Sequence, residues 1–170
     1  MGDFRPVMTD TQFVAEAVAR SLDILDREIR TNAANFGLKK LEFDLAKGFI
    51  ECADAYDMAN HLERCGWLGV NAKTIEALKA ARIVLESAHR RAVRAWVKRV
   101  ELRPGHRVGD EVSFVLGDRM WQGKIIGIFE QEGCYLIFSA TLNAEIKPPR
   151  AQLLPWEQVD RRSTTTRSEN

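Results

Sequence analysis

The chain of 170 residues contains no apolar run longer than a few residues. A bilayer span needs about 20 consecutive apolar residues, so no membrane segment and no membrane partner are expected. The N-terminal Met1-Gly-Asp-Phe-Arg-Pro has no basic stretch leading into an apolar core, which argues against a secretory signal. Gly2 is not in a myristoylation context, because position 6 is Pro rather than Ser or Thr. Cysteine is scarce: Cys52, Cys65 and Cys134 are an odd number without a CxxC pair, which fits reduced thiols and a cytoplasmic protein. Glycine-rich phosphate loops and internal repeats are absent, and no cofactor is expected.

Net charge is also nearly absent, at +1, but its distribution is uneven. Residues 1–66 carry 8 basic and 12 acidic side chains, residues 67–107 carry 10 and 3, and residues 108–170 carry 7 and 9. Only the middle segment has the sign to attract a polyanion.

Hydrophobic residues make up 45% and charged residues 29%, the composition of a folded domain. Up to residue 103 the apolar period is helical. Thr9-Asp-Thr-Gln12 has the form of a capping box, and Val14, Val18, Leu22, Leu25, Ile29 and Ala33 follow as one stripe of six or seven turns, with Gly37 as its C-cap. A second helix is expected from about Lys39 to Arg64, with Leu41, Leu45, Phe49, Cys52, Tyr56, Ala59 and Leu62 inward. Asn71 is a good N-cap for a third, from Ala72 to about Glu101, stopped by Pro104-Gly105. Short links between long helices favour antiparallel neighbours.

From His106 the period becomes two. Strands are expected at 112–116, 121–129 and 134–139, with turns at Gly117-Asp118 and Glu132-Gly133. A short strand at Glu145-Ile146-Lys147 and a last one around Leu153-Leu154 complete the pattern. The expected fold is therefore α+β in two parts. An antiparallel bundle of about three long helices (1–103) precedes a small five-stranded barrel (104–160) and a disordered tail (161–170). In strict alternation Ile125 and Phe129 face one way and Ile126 and Ile128 the other; Tyr135 and Ile137 oppose Leu136 and Phe138. Both faces are apolar, so the outer one should meet the helices or another subunit, and a homo-oligomer is expected.

Gly109-Asp110, Val112, Trp121-Gln122-Gly123, Ile125, Gly127, Glu132-Gly133 and Pro148 stand in an order and spacing that resemble plasmid-borne type II dihydrofolate reductases. The resemblance covers about 50 residues and implies an SH3-like barrel of the kind that assembles as a tetramer around one pore. That family's chemistry rests on a Val-Gln-Ile-Tyr segment and a first-strand lysine. Here the pore-equivalent positions read Ala144-Glu145-Ile146-Lys147, and Val112 to Leu116 contains no lysine. Four symmetry-related Glu145 carboxylates would repel an anionic NADPH.

Three further features carry chemistry. Arg90, Arg94 and Lys98 form a basic stripe at four-residue steps, with Arg91 and Arg99 beside them. The stripe either neutralises phosphates or pairs with acids of the first two helices, and the second reading is favoured. His61 and Cys65 have one ligand pair's spacing, but a zinc site needs two more ligands and only His89 and His106 remain as histidines, so no metal is expected. The pair also lacks an orienting partner for a Cys–His nucleophile. Trp67 reads as a plug at the end of the bundle rather than as an exposed anchor.

The expected function is a non-enzymatic binding or regulatory protein, such as an accessory protein of a plasmid or phage. A protein partner ranks ahead of nucleic acid. The alternatives are a divergent NADPH-dependent folate reductase and a nucleic-acid-binding protein using the basic helix. Without the lysine and the Gln-Ile-Tyr segment, purified protein should not oxidise NADPH in the presence of dihydrofolate; clear turnover would reverse this expectation.

Overall fold

The computed structural model of the protein describes residues 4–25, 37–146 and 148–160. It is an α+β chain that falls into two compact units, 1–92 and 93–170. The expected border at 103–104 leaves the whole third helix in the first part; the division in the structure falls inside that helix.

The first unit is helical. Helix α1 (Thr11–Ile24) buries Phe13, Val14, Ala17, Val18 and Ser21 at three- and four-residue steps. Its N-cap is Asp10, not Thr9, and the Asp10 carboxylate accepts from the Val7 N–H. Ile29 and Ala33 of the expected stripe lie outside the described residues. Gly37, with φ at +92°, stands at the start of α2 (Leu38–Glu51).

The expected second helix is two. Helix α2 ends at Glu51, and α3 (Ala55–Arg64) starts afresh. The cause is local: Asp54 Oδ1 accepts from the N–H groups of Tyr56 and Asp57 at 2.8 and 2.9 Å. An N-cap of this kind satisfies donors that a continuous helix would have paired with earlier carbonyls. The break also rotates the stripe, leaving Tyr56 exposed while Met58 and Leu62 are buried. Among the described residues, four helices thus stand where three long ones were expected. The last, α4 (Ala72–Arg99), opens on Asn71 as expected from the sequence; Asn71 Oδ1 accepts from Lys73 and Thr74 N–H at 2.9 and 3.2 Å. Ala77, Leu78, Ala81, Leu85 and Ala88 of α4 join the core of the first unit.

In the second unit the end of α4 contributes Val93, Trp96 and Val97, with Val100 and Leu102 against them. The chain leaves the helix at Glu101, which has a positive φ of 50°. The strands are β1 (Glu111–Leu116), β2 (Arg119–Phe129), β3 (Cys134–Phe138), β4 (Gln152–Pro155) and a two-residue β5 (Val159–Asp160). They lie in the order β4-β3-β2-β1-β5, each pair antiparallel.

The strand expected over 145–147 does not form among the described residues. In its place Ala140–Glu145 forms helix α5, because the Ser139 hydroxyl caps it by accepting from the Leu142 N–H. Lys147 and the tail 161–170 lie outside the described residues.

The sheet is curled. Pro155 pairs with Cys134 on one edge strand, and Val159 pairs with Phe114 across the other. In a flat sheet those edges would be four strand spacings apart, about 19 Å. The four Cα steps from Pro155 to Val159 span at most about 15 Å, and Trp156–Gln158 is coiled into a 3-10 turn. Among the described residues no β4–β5 ladder closes the circle. The unit is four strands in a half-barrel with a short fifth on its edge, not the closed five-stranded barrel expected.

Curling encloses Val112, Phe114, Ile125, Tyr135, Ile137 and Leu154 on the inner face. Trp121 lies half-buried against them, opposite Phe114 in the ladder. Strict alternation fails in β2. The register shifts between Ile125 and Gly127, so Ile126 is the extra residue of a bulge. As a result Ile128, opposite Tyr135, packs on the inner core together with Ile125.

At Gly123 the strands β2 and β3 leave no room for a side chain. A Cβ there would lie 2.6 Å from Ile137 Cγ2 and 2.8 Å from the Phe138 carbonyl oxygen. The second neighbour is backbone, so β2 and β3 would have to separate. Gly123→Ala should cost about 1–3 kcal/mol, as overpacking usually does, and lower the urea midpoint of the sheet unit followed by near-ultraviolet circular dichroism. An unchanged midpoint would show that the strands yield freely.

Candidate functional site

The inner face of the sheet is filled, so the outer face is what the unit presents. On it the pairs run Val115–Met120, Ser113–Gln122, Glu111–Lys124–Phe138 and Gly127–Leu136–Leu153. The middle is polar. One end is apolar: Phe129, Phe138 and Leu153 are each 45–49% exposed. The bulge residue Ile126 is 47% exposed. Leu136 and Phe129 flank Gly127, since a Cβ at that glycine would meet Leu136 Cβ at 3.4 Å and Phe129 Cε2 at 4.0 Å. Leu136 and Phe129 thus both border the Gly127 backbone. A shallow recess of about 270 Å³ opens beside Phe138, Lys124, Gln122 and Thr141. That is below the usual range for a pocket holding a drug-sized ligand.

The basic stripe is present on α4, and Arg90, Arg91, Arg94, Lys98 and Arg99 are all exposed. Its charges are not left together as a free row. Arg91 faces Glu16 of α1 at 3.7 Å, and Arg94 donates to Glu132 Oε1 at 3.0 Å. Arg90 also has a partner. Glu132 lies in the turn between β2 and β3, outside the first two helices from which the neutralising acids were expected.

Of the pore-equivalent positions, Ala144, Glu145 and Ile146 do not lie in a strand. Glu145 ends α5 and accepts from Arg119 at 3.2 Å, while Ile146 packs against the sheet core.

In the helical unit the structure adds a residue to the His61–Cys65 pair. Cys65 Sγ lies 3.6 Å from His61 Nε2, and the ligand atoms of Asp44, His61 and Cys65 are all within 4.8 Å of one another. Asp44 sits on the buried side of α2, between Leu41 and Leu45 on one side and Gly48 on the other. Its Oδ2 accepts from Lys40 Nζ and, at 2.8 Å, from Trp67 Nε1. Trp67 is buried, as expected of a plug. The sequence signal for Asp44 is an acid within an apolar stripe, four residues after a lysine. Periodicity alone does not show which helix faces it.

Burial pushes the Asp44 carboxyl up, but the hydrogen bonds from Lys40 and Trp67, with the charges of Lys40 and His61, outweigh it and hold the group below its ordinary 3.8.

No family model, no curated protein and no solved structure matches this chain.

Because folded Asp44 binds its proton more weakly than the unfolded chain does, its stabilisation is full above the unfolded value. It is lost as pH falls through the depressed folded value. Asp44→Asn should cost about 2 kcal/mol at pH 7, in the range for a hydrogen bond to a charged group. The difference between variant and parent should narrow at pH 3. Parallel urea midpoints at the two pH values would reject this if the gap stayed constant.

Proposed function

We propose that this chain is a non-enzymatic, homo-oligomeric binding protein. Its sheet unit, a curled half-barrel, pairs outer face to outer face with a second copy. The observation that carries this is the patch of Phe129, Leu136, Phe138 and Leu153, with both phenylalanines about half exposed. Aromatic side chains are enriched in interfaces, and contiguous exposed apolar residues mark interaction surfaces. A two-fold axis through such a patch sets apolar end on apolar end, and the pairing closes without leaving a second sticky surface.

The short link of Trp156–Gln158 between the sheet edges supports the curled form of the unit. The departures at Glu145 and Lys147, and the lack of a lysine in β1, support binding rather than reduction. Phosphate binding by α4 has less support, because Arg91 and Arg94 already face carboxylates.

Light scattering on the full chain should give at least a dimer. Phe138→Glu combined with Leu153→Glu should give a monomer with an unchanged far-ultraviolet spectrum. A parent that is monomeric at micromolar concentration, or a variant that stays associated, would overturn the proposal.

A further inference from the structure

The proposed function leaves the Asp44–His61–Cys65 cluster unused. The three side chains offer a carboxylate oxygen, an imidazole nitrogen and a thiol sulfur, all within 4.8 Å of one another. Zinc takes these donor types tetrahedrally, with Zn–S near 2.3 Å and Zn–N near 2.0–2.1 Å, so a sulfur and a nitrogen on one ion lie about 3.6 Å apart. Cys65 Sγ and His61 Nε2 are 3.6 Å apart. That separation also suits a weak thiol–imidazole hydrogen bond, so the pair alone does not decide. The third donor and the cation already held there do.

The cluster holds a cation of its own. Lys40 Nζ donates to Asp44 Oδ2 and, at 3.2 Å, to the Cys65 carbonyl oxygen, and it stands 5.0 Å from the centre of the Trp67 ring. A carboxylate, a carbonyl oxygen and an indole face converge on one positive charge. The Lys40 side chain is 43% exposed, so its long arm can swing into water without disturbing the core. Asp44 cannot swing in the same way, because its side chain is 8% exposed. Both of its hydrogen bonds fall on Oδ2.

The ring of His61 is also placed. Its Cδ2 lies 3.6 Å from where a Cβ at Gly48 would be, so the imidazole packs over bare α2 backbone, one helical turn from Asp44. His61 and Cys65 are joined by the spacing of one turn of α3, and Cys65 is the C-cap of that helix.

We infer that Asp44, His61 and Cys65 form a site for a borderline-soft divalent cation of the zinc class, in which Lys40 is the resident cation that the metal displaces. On binding, the metal–sulfur bond forms as the Cys65 thiol proton leaves to solvent. His61 ligates through a ring nitrogen and Asp44 through a carboxylate oxygen. With three protein donors the fourth position is left to water, as in zinc sites that are not purely structural.

Lys40 makes the inference testable in a way that a surface thiol would not satisfy. Full-length protein, stripped with chelator and kept reduced, is titrated with Co²⁺ alone. A thiolate-to-cobalt charge-transfer band in the near ultraviolet should appear with one-to-one stoichiometry, together with visible bands of tetrahedral strength, and Zn²⁺ should abolish both. Cys65→Ser should remove the charge-transfer band while Cys52→Ser and Cys134→Ser keep it. His61→Ala should weaken Co²⁺ at least tenfold. Lys40→Ala should tighten it, because the competing ammonium is gone. Circular dichroism confirms that each variant is folded; if His61→Ala is not, Cys65→Ser and Lys40→Ala decide. Absence of the band in the parent, its survival in Cys65→Ser, or weaker binding in folded Lys40→Ala would overturn the inference.

Discussion

Three residues, Trp156–Gln158, join the two edges of the sheet, and the second unit follows from that short connection. A link too short to cross a flat sheet forces the strands to curl. Curling in turn divides each strand into residues that face a closed interior and residues that face out. Tyr135 fills the centre of the interior with its ring against Trp156 at 5.8 Å, and its hydroxyl accepts from the His106 N–H at 2.9 Å. The polar end of a buried tyrosine thereby fastens the chain that enters the sheet. The backbone N–H of Trp156 donates to the Gly133 carbonyl at 2.9 Å, which ties the connecting turn to the β2–β3 hairpin.

The same curl concentrates what is left outside. With Ile125, Ile128 and Ile137 taken inward, Phe129, Leu136, Phe138 and Leu153 remain as a contiguous apolar end beside a polar centre. The bulge at Ile126 matters here. It moves Ile128 to the core without a break in the strand, and it keeps Phe129 on the outer side with Gly127 and Leu136. Bulges are a usual means of re-aiming side chains in a small curved sheet.

In the helical unit the organising interaction is electrostatic. Asp44 is an acid set in an apolar stripe, and a buried carboxylate is costly unless it is paired and hydrogen-bonded. Lys40 from one turn earlier and Trp67 from the link after α3 meet that need. The arrangement joins α2 to the residues that follow α3. It also places an ammonium where a carboxylate, a thiol and an imidazole lie together. One constraint thus accounts for the buried position of Trp67 and for the composition of the cluster.

Much of this architecture is local in origin and therefore legible in the chain. The change of period near His106, the Asn71 cap and the turns at Gly117 and Gly133 all depend on neighbours within a few residues. Other features were not legible. The break between α2 and α3 turned on Asp54 capping backbone groups that a regular stripe would have kept in a helix. The helix over 140–145 turned on Ser139. Both are single side-chain caps that outweigh an apolar pattern. The bulge at Ile126 is set by pairing with β3, and β5 exists only because β1 has a free edge for Val159. The meeting of Asp44 with His61, Cys65 and Trp67, and of Arg94 with Glu132, joins residues 17 to 38 positions apart. Sequence by itself determined where most of the chain is helical or extended, because backbone preference is a local quantity. Only the tertiary structure decided which charges are neutralised, which donors converge and which apolar face stays in water, because those are set by the packing of segments remote in the chain.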